Sequence, residues 1–406
     1  MSKTIWIINE YAGSKYHGME FRHYYVGREL VKRGYDVYII TASYSHLLKE
    51  LPKVKYDFTI ENIDNLNYVW VKVPKYSHTY DKRRVLKWFV FASKLFRLPK
   101  DKIKKPDAII VSPMPPFPII AGYYYSKKFN AKLIFEVKDL WPLTLVEIGK
   151  YSKYHPLIVI MQFFEDFAYK KSDFVISVLP NAYEYMKKHG LKKEKFFYIP
   201  NGISLEEIEN VQPLDAETIN KIPRDKFIVG YVGTIGSADT LEYLIKAADL
   251  LKEKKDIHFV LVGDGSEKSR LIEMVSDMKL ENVTFINSIP KSQVQSILKY
   301  FDVCFIGWEK ERIYNYGISA NKIFDYMYSG KPILHAYSGQ GDLIKIANCG
   351  LSVEAENLQA ITKGILDLYN MSREEREKLG ENGKNFVLKY HTYDKIVERF
   401  IEAINV

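Results

Sequence analysis

Short apolar runs alternate with amphipathic stretches along almost the whole chain, and this alternation constrains the fold more than any other feature. The runs KTIWIINEY and YDVYIITAS flank the amphipathic stretch RHYYVGRELVKRG, and KFIVGYVGTIGSADT begins a second series of the same kind. Apolar runs rich in Ile, Val and Phe that alternate with helices are typical of a parallel sheet covered on both faces. The sequence therefore predicts an α/β fold with doubly wound parallel sheets.

The chain length favours two such sheets rather than one. Its 406 residues exceed the size of about 300 residues at which a single hydrophobic core usually stops growing. The polar stretch EEIENVQPLDAETINKIPRD separates the two series, so we expect domains over residues 1–205 and 206–387. Because ligands of open parallel sheets bind at the carboxyl ends of the strands, we expect both domains to turn their loops toward a shared cleft.

Composition and motifs argue against several classes of protein. Cys304 and Cys349 stand in apolar runs and indicate reduced core thiols of a cytosolic protein. No window approaches about 18 uninterrupted apolar residues, and the N-terminus reads as a first strand, so we expect neither a membrane-spanning helix nor a signal peptide. The chain has no GxxxxGK[ST] loop, no G-x-G-x-x-G fingerprint in its glycine loops, and no D-x-D pattern or His/Cys cluster. We therefore expect no metal and no bound cofactor.

The net charge of +9 is concentrated in one segment, and the rest of the chain is close to neutral. Twelve Lys and Arg residues in the stretch 72–105 stand against only Asp81 and Asp101, which gives this segment a net charge of +10. Its part RRVLKWFVFASKLFRL is typical of a helix with one face in the core, and it also fits a helix that lies on anionic lipid with its aromatic rings among the headgroups. Nucleic acid is the least favoured partner, because no recognition motif accompanies the charge.

Three loops that follow strands of the second series contain glycine or proline. Gly233 and Gly236 lie in the first, Gly263 and Gly265 in the second, and the run 288–290, SIP, closes the next strand. Small residues in such loops let main-chain N–H groups approach an anion at a helix N-terminus. Each loop alone is an ordinary turn, but three of them at the strand ends of one domain predict a nucleotide site.

Charged residues also follow strands of the first series. His17, Glu20 and Arg22 lie in the first strand-to-helix loop, and Lys138 and Asp139 directly follow the strand in FEVKDLWP. The simpler interpretation is structural, since a lone histidine usually bonds within the fold and a Lys–Asp pair can stabilise a turn. Charges beyond a buried strand are nevertheless costly to place without partners, so we also interpret these residues as candidates for holding a substrate.

The stretch YGISANKIFDYMYSGKP predicts a loop, a short helix that ends at Gly330, and the start of a strand. Ile323 and Met327 form the buried side of that helix, while Lys322 and Asp325 stand three residues apart on it. Because folding alone seldom requires both charges at the start of a short helix, we expect this helix to hold a ligand.

Eight motifs follow one another along nearly the whole length of the chain: HGMEFRHYYVGRELVKRGYDVYIIT, EVKDLWP, FAYKKSDFVISV, IPNGIS, YVGTIG, VGDGSEK, NVTFINSIPK and NKIFDYMYSGKPI. In this order they resemble the motifs of the retaining glycosyltransferases of family 4, which have the GT-B fold of two Rossmann-like halves. EVKDLWP and NKIFDYM are most similar to the branch that builds O-antigen and capsule repeat units, which includes L-fucosamine (N-acetyl-L-fucosaminyl) transferases.

The resemblance implies transfer of a sugar from a nucleotide-diphosphate donor, usually UDP-linked, with retention of anomeric configuration. It implies a polyprenyl-diphosphate-linked saccharide as the acceptor at the cytoplasmic face of the membrane, and a peripheral location there. The C-terminal half would hold the donor and the N-terminal half the acceptor, with a final helix at 388–406 that packs back onto the N-terminal half.

The resemblance also assigns residues, with departures from the usual pattern. Asp325 would bind the ribose, whereas the place of a second carboxylate falls on Gly317. The usual places of an Arg and a Lys that neutralise the diphosphate hold Thr234 and either Asp239 or Thr240, so Lys322 would supply the charge, with Lys268, Lys310 and Arg312 in reserve. The implied donor-binding set is Gly233, Thr234, Gly236, Gly263, Gly265, Lys268, Ile289, Pro290, Gly317, Ile318, Ser319, Asn321, Lys322 and Asp325. The implied acceptor-binding set is His17, Gly18, Glu20 and Arg22, and the catalytic set is Lys138, Asp139 and Lys322.

The expected mechanism needs no nucleophile from the protein. The leaving diphosphate takes the proton of the acceptor hydroxyl, and the protein stabilises its negative charge and aligns the reactants. Two other functions stay open: a sugar-nucleotide epimerase of the same fold, and a non-catalytic binding subunit of an envelope glycan assembly complex. Gly317 and Thr234, where charged residues are usual, favour the second of these.

Overall fold

The computed structural model describes residues 3–18, 21–77 and 81–405. Two compact units make up the chain, an N-terminal unit of Met1–Asn201 with Tyr393–Val406 and a C-terminal unit of Gly202–Thr392. The chain therefore enters the C-terminal unit four residues before the predicted boundary at 205, and it returns to the N-terminal unit at its end.

The stretch predicted as a single final helix, 388–406, contains parts of two helices. One helix runs as far as Tyr390 in the C-terminal unit, and a separate helix begins at Tyr393 in the N-terminal unit. His391 and Thr392 connect them in a conformation that is not helical.

The N-terminal unit contains, in chain order, β1 (Thr4–Ile8), α1 (Arg22–Lys32), β2 (Asp36–Ala42), β3 (Phe58–Ile63), β4 (Leu66–Val71), α2 (Lys82–Leu95), β5 (Ala108–Val111), α3 (Ile119–Phe129), β6 (Lys132–Val137), α4 (Leu143–Glu147), α5 (Pro156–Lys171), β7 (Phe174–Ser177), α6 (Tyr183–Met186), β8 (Phe196–Tyr198) and α16 (Tyr393–Asn405). Within the described residues, the strands form a sheet in the order β3-β4-β2-β1-β5-β6-β7-β8. All five residues of the central strand β1 are buried, as expected for a strand covered on both faces.

One pair in this sheet is antiparallel, which the sequence analysis did not predict. Strands β3 and β4 form a hairpin in which Ile63 lies opposite Leu66. The two residues between them, Asp64 and Asn65, both have positive φ angles, 49° and 66°. Two-residue turns with positive φ at both positions match the twist of the flanking strands and favour Asp and Asn, so DN between two alternating runs was the available signal.

The helix α16 completes the core of the N-terminal unit. Ile396, Val397 and Phe400 are fully buried, and they belong to the same apolar cluster as Tyr24 of α1 and the inward residues of the central strands. The N-terminal sheet is therefore covered on one side by residues that follow the whole C-terminal unit in the sequence.

A buried charge network fixes α1 to the carboxyl edge of this sheet, the edge at which its parallel strands end. The Arg22 guanidinium donates to the Glu136 carboxylate over 3.0 Å and to the main-chain oxygens of Ile199 and Pro200 over 2.9 and 2.6 Å. Another nitrogen–oxygen pair joins His23 Nε2 to Glu136 Oε2 at 2.6 Å. Burial alone would raise the pKa of Glu136, but Arg22 and His23 hold it well below its usual value.

The C-terminal unit contains, in chain order, α7 (Leu205–Glu209), α8 (Ala216–Asn220), β9 (Phe227–Val232), α9 (Leu241–Leu250), β10 (Ile257–Val262), α10 (Lys268–Asp277), β11 (Val283–Ile286), α11 (Val294–Leu298), β12 (Val303–Gly307), α12 (Asn321–Ser329), β13 (Ile333–Ala336), α13 (Leu343–Ala347), β14 (Gly350–Val353), α14 (Leu358–Asn370) and α15 (Arg373–Tyr390). Its strands are parallel throughout, in the order β11-β10-β9-β12-β13-β14.

Both faces of the C-terminal sheet are covered by apolar side chains. Ile228 and Val232 of β9 belong to one core cluster, whereas Val229 and Tyr231 belong to another. Successive residues of a strand point to opposite faces, so the two clusters lie on opposite sides of the sheet. The predicted α/β fold of two largely parallel, doubly wound sheets is thus confirmed.

The predicted core position of both cysteines is confirmed. Cys304 and Cys349 are buried free thiols, and burial raises the pKa of each to about 12. Among residues 3–18, 21–77 and 81–405, no helix has the length and apolar character needed to cross a membrane.

The charge network predicts a large cost for removing one of its members. We expect Arg22→Ala to lower the free energy of unfolding by about 3–5 kcal/mol, because it leaves the Glu136 carboxylate buried without its cation. Arg33→Ala is the matched control, since Arg33 pairs with Glu29 near the surface and should contribute less than about 1 kcal/mol. Urea denaturation of both variants measures the difference, and equal losses would contradict the assigned role of Arg22.

Candidate functional site

Two glycine loops at the carboxyl edge of the C-terminal sheet are joined through their main chains. The N–H of Ile235 donates to the main-chain oxygen of Asp264 over 2.9 Å. The N–H of Glu267 donates to the main-chain oxygen of Ile235 over 3.1 Å. Gly263 adopts φ +150°, and a Cβ there would stand 1.8 Å from the Gly233 oxygen. Only glycine permits this contact, which holds the loop after β9 against the loop after β10.

Lys322 lies in the first turn of α12, and its ammonium group lies against the first glycine loop. Its Nζ donates to Tyr231 Oη over 2.8 Å and pairs with Asp239, and a Cβ at Gly233 would stand 3.2 Å from it. The side chain is 19% exposed. Burial lowers the pKa of Lys322, and the neighbouring Asp239 opposes this effect. The structure thus brings predicted residues from distant parts of the sequence together.

Asp325 lies less than one turn further along α12, and its carboxylate is mostly buried. It pairs with Lys291, which begins the 3-10 turn after Pro290. Gln295 donates to the main-chain oxygen of Asp325 over 3.0 Å. Lys291 was not among the predicted site residues, and it is separated from Asp325 by 34 positions. Its place directly after the predicted Ile289-Pro290 loop was the available signal that it belongs to the site.

A third lysine–aspartate pair lies at the same sheet edge. Lys268 donates to the Asp264 carboxylate over 2.6 Å and to Asn287 Oδ1 over 2.8 Å, while the N–H of Ser288 donates to the other Asp264 oxygen. The hydrogen bond from Lys268 lowers the pKa of Asp264. With Lys322–Asp239 and Lys291–Asp325, the edge therefore carries three lysines that each face a carboxylate.

The segment before α12 supplies main-chain groups rather than charges. Gly317 has φ +98° and ends the 3-10 turn Arg312–Tyr316, and its N–H donates to the Tyr314 oxygen over 3.0 Å. Ile318 is buried in the core, and the segment leads through Ser319 to Asn321, where α12 begins without a side-chain cap. The N-terminal N–H groups of α12 therefore lie beside Lys322, where they can interact with an anion.

Two of the three reserve cations, Lys310 and Arg312, lie in the segment between β12 and α12. Lys310 pairs with Glu354 at 2.5 Å, and Arg312 is exposed at the start of its 3-10 turn. Both remain predictions for the phosphate position.

A hydrogen-bonded group that the sequence analysis missed positions the Gly317 segment. Trp308 Nε1 donates to His335 Nε2 over 3.0 Å, and His335 Nδ1 lies 2.9 Å from an Asp342 oxygen. Tyr337 stacks on His335 and donates to the Tyr314 main-chain oxygen over 2.7 Å. Strand β13 thereby holds the loop that follows β12.

Three of the four predicted acceptor residues lie in the described part of the N-terminal unit, and they make structural contacts. His17 packs on Trp70 with 4.9 Å between ring centres, and its Nδ1 lies 3.0 Å from Ser14 Oγ. Gly18 has φ +82° and lies against Lys49. Arg22 uses its nitrogens in the buried network with Glu136, and Glu20 lies outside the described residues.

Asp139 accepts hydrogen bonds from Thr144 Oγ1 over 2.6 Å and from Trp141 Nε1 over 3.1 Å. Burial raises its pKa, and these hydrogen bonds oppose the shift. Lys138 is half-buried, and its charge acts on Glu136. The pair thus stands at the end of β6, as predicted, and Asp139 also fixes the start of α4.

One group of side chains in the described residues has the spacing of a metal site. Ligand atoms of Glu165, Asp166 and His189 all lie within 4.8 Å of one another. The Glu165 carboxylate already accepts hydrogen bonds from Tyr169 and Tyr185, so the group is a hydrogen-bonded packing contact between α5 and the turn after α6.

Comparison with protein families gives a match for each half of the chain. Residues 16–207 match the family described as Glycosyltransferase Family 4, and residues 215–386 match the one described as Glycosyl transferases group 1.

Individual proteins are similar over most of the chain. WcaI of Escherichia coli K12, a protein named as a colanic acid biosynthesis glycosyl transferase, is 24% identical over 83% of this chain and 84% of its own length. The solved sucrose-phosphate synthase of Thermosynechococcus elongatus has a TM-score of 0.73 at 19% identity, covering 99% of this chain and 98% of its own. HepE of Anabaena, solved with UDP, has a TM-score of 0.69 at 12% identity, covering 99% of both chains.

The contact between the glycine loops predicts a sharp difference between two substitutions. We expect Gly263→Ala to lower the free energy of unfolding by at least about 1 kcal/mol, because the new Cβ would collide with the Gly233 oxygen at a positive φ angle. Gly236→Ala is the control: its Cβ would meet only Asp239 Oδ2 at 3.7 Å, so the change should stay within about 0.5 kcal/mol. Thermal and urea unfolding of the pair test this, and equal stability would refute the assigned contact.

Proposed function

We propose that this chain, both of whose domains are glycosyltransferase domains, transfers a sugar from a UDP-linked donor to a lipid-linked saccharide, with retention of anomeric configuration. The observation that carries the proposal is the placement of Lys322 against the Gly233 loop with Asp325 close behind it on the same helix. This arrangement offers a cation and helix N–H groups to a diphosphate, and a carboxylate to ribose hydroxyls.

The donor is a nucleotide diphosphate sugar in this proposal. Lys322 would replace the Arg and Lys that are absent from the positions of Thr234 and of Asp239 or Thr240. Solved structures of similar fold support a UDP-linked donor, since HepE of Anabaena was solved in complex with UDP. The Gly317–Ser319 segment, which has no carboxylate, would contact the donor sugar through its main-chain groups.

The reaction needs no nucleophile from the chain. The bond between the sugar and the diphosphate breaks, the departing oxygen takes the acceptor hydroxyl proton, and the acceptor oxygen bonds to the same face of the sugar. Lys322 and the α12 N-terminus stabilise the charge that develops on the leaving group. We propose that neither a metal nor a cofactor takes part, and that Lys138 and Asp139 help to hold the sugars.

The proposed acceptor is a polyprenyl-diphosphate-linked sugar, and the proposed location is the cytoplasmic face of the membrane. The basic segment 72–105 supports this assignment through its charge. The similarity to WcaI, a protein named for colanic acid biosynthesis, supports a role in polysaccharide biosynthesis, which we propose to be that of O-antigen or capsule. A narrower proposal, from the motifs EVKDLWP and NKIFDYM, is an N-acetyl-L-fucosaminyl donor.

One incubation separates the three candidate functions. Purified protein is mixed with UDP-sugars and a lipid-diphosphate-linked sugar, and the products are separated by chromatography. New glycolipid supports the transferase, and the anomeric configuration of the new linkage tests retention. Conversion of the UDP-sugar alone would instead identify an epimerase, and the absence of both products would favour a binding subunit.

The Lys322–Asp239 pair predicts opposite effects for its two members. We expect Lys322→Ala to weaken UDP binding by about 10- to 100-fold, because a charge-assisted contact to the diphosphate is lost. Asp239→Asn should strengthen binding, because it removes the carboxylate that competes with the diphosphate for Lys322.

Isothermal titration with UDP measures both effects. Lys363→Ala is the matched control, since Lys363 pairs with Asp367 on the exposed face of α14. If Asp239→Asn weakens UDP binding as much as Lys322→Ala, the pair is structural and Lys322 does not bind the phosphates.

A further inference from the structure

Helix α2 of the N-terminal unit buries Trp88, Phe91 and Leu95, as an amphipathic helix does, but three positions depart from that pattern. Lys87 is fully buried, 3.6 Å from the buried carboxylate of Glu10, whereas Leu86 and Phe89 are 52% and 43% exposed. At these positions folding alone favours apolar side chains inside and the charge in water. The exposure of Leu86 and Phe89 therefore needs another explanation.

Helix α5 carries a second exposed apolar face. Val159, Ile160 and Phe163 are 52%, 43% and 63% exposed, and their spacing places them on one side of the helix. The segment before α5 adds Tyr151 and Tyr154, which are 48% and 77% exposed.

Aromatic contacts connect the two faces. Phe89 stacks on Phe117 with 4.7 Å between ring centres, Phe117 meets Phe164 edge to face, and Phe164 in turn contacts Phe163. Residues of α2 and α5 also pack on a common cluster formed by Trp88, Phe117 and Met161. We call the exposed residues Leu86, Phe89, Val159, Ile160 and Phe163 the apolar surface. Exposed apolar side chains that cluster in this way are typical of interaction sites, whereas singly scattered ones are ordinary.

Exposed cations occur on the helices that carry the apolar surface and on the neighbouring helix α3. The exposed basic residues are Lys82 and Arg83 of α2, Lys127 and Lys128 of α3, Lys153 before α5, and Lys170 and Lys171 of α5. A two-fold contact with a second copy would place these like charges opposite one another, which disfavours it. An anionic bilayer satisfies both the apolar surface and the exposed cations.

We propose that the apolar surface inserts into the headgroup layer of an anionic membrane, with Phe163 as its principal anchor. The proposal deepens the proposed function, on which it rests for the lipid-linked acceptor. The main contact with the membrane is then made by apolar side chains of α2 and α5 rather than by the charges of segment 72–105. Several of those charges face protein carboxylates instead, as in Lys94–Asp57 and Lys104–Asp36.

Sedimentation of the full chain with lipid vesicles tests the proposal. We expect binding to vesicles of phosphatidylcholine and phosphatidylglycerol in equal parts, and much less binding to phosphatidylcholine alone. Phe163→Asp should reduce the partition coefficient by about tenfold or more, because a large apolar group no longer enters the lipid. Ile346→Asp is the matched control, since Ile346 is 62% exposed in the C-terminal unit and should leave binding unchanged.

Salt and fluorescence distinguish insertion from charge attraction alone. Insertion predicts that part of the binding survives at high salt, and that Phe163→Trp gives blue-shifted emission with the mixed vesicles while Ile346→Trp does not. Complete loss of binding in salt, with Phe163→Asp equal to the control, would overturn the proposal. A change from dimer to monomer in Phe163→Asp without a change in vesicle binding would assign the surface to a second copy and overturn it too.

The vesicle-binding test can fail independently of the test of glycosyl transfer. UDP binding by Phe163→Asp should equal that of the unaltered chain, because the substitution lies in the other unit. Vesicle binding without glycosyl transfer would support the membrane-binding surface and reject the proposed function. Glycosyl transfer without vesicle binding would support the proposed function and reject the membrane-binding surface.

Discussion

The ion pair between Arg22 and Glu136 is the contact on which the N-terminal unit most depends. Both charges are almost fully buried, and the guanidinium also binds the main chain where the first unit gives way to the second. A buried pair of this kind adds little net stability over an apolar pair, but removing either partner is costly, so it fixes a unique arrangement of α1, β6 and the chain after β8. The C-terminal unit holds its corresponding edge differently, through main-chain contacts that only glycine allows at Gly263 and Gly265.

The sequence predicted the parts of the fold that follow from periodicity. Alternating apolar runs identify two doubly wound sheets, and Ile323 and Met327 are buried as their spacing predicts. The hairpin of β3 and β4 was missed, because its signal is a two-residue turn rather than a repeated pattern. Lys87 shows the limit most clearly, since an exposed lysine on a basic helix is the reasonable expectation. Its buried ammonium group lies beside the Glu10 carboxylate and over the ring of Tyr11, both more than 70 positions away in the sequence.

The sequence located the candidate donor residues but not the ion pairs that they form. Strand ends and helix starts locate Gly233, Lys322 and Asp325, since local patterns define them. Their partners Asp239 and Lys291 come from other loops, and neither pairing was predicted. With each of its lysines facing an aspartate, the site is close to neutral before a ligand arrives. A diphosphate would therefore bind by exchanging one partner for another, and long-range attraction would contribute less to its arrival than at a site of unpaired cations.

Helix α16 has a consequence for how the protein is made. Its side chains complete the apolar cluster beneath α1 and the central strands, yet they follow the whole C-terminal unit in the sequence. Domains commonly fold one after another as the polypeptide leaves the ribosome. Here the C-terminal unit can complete its folding first. The N-terminal unit keeps part of its core exposed to solvent until α16 has been synthesised. During that interval the nascent N-terminal domain exposes the apolar side chains that α16 later covers.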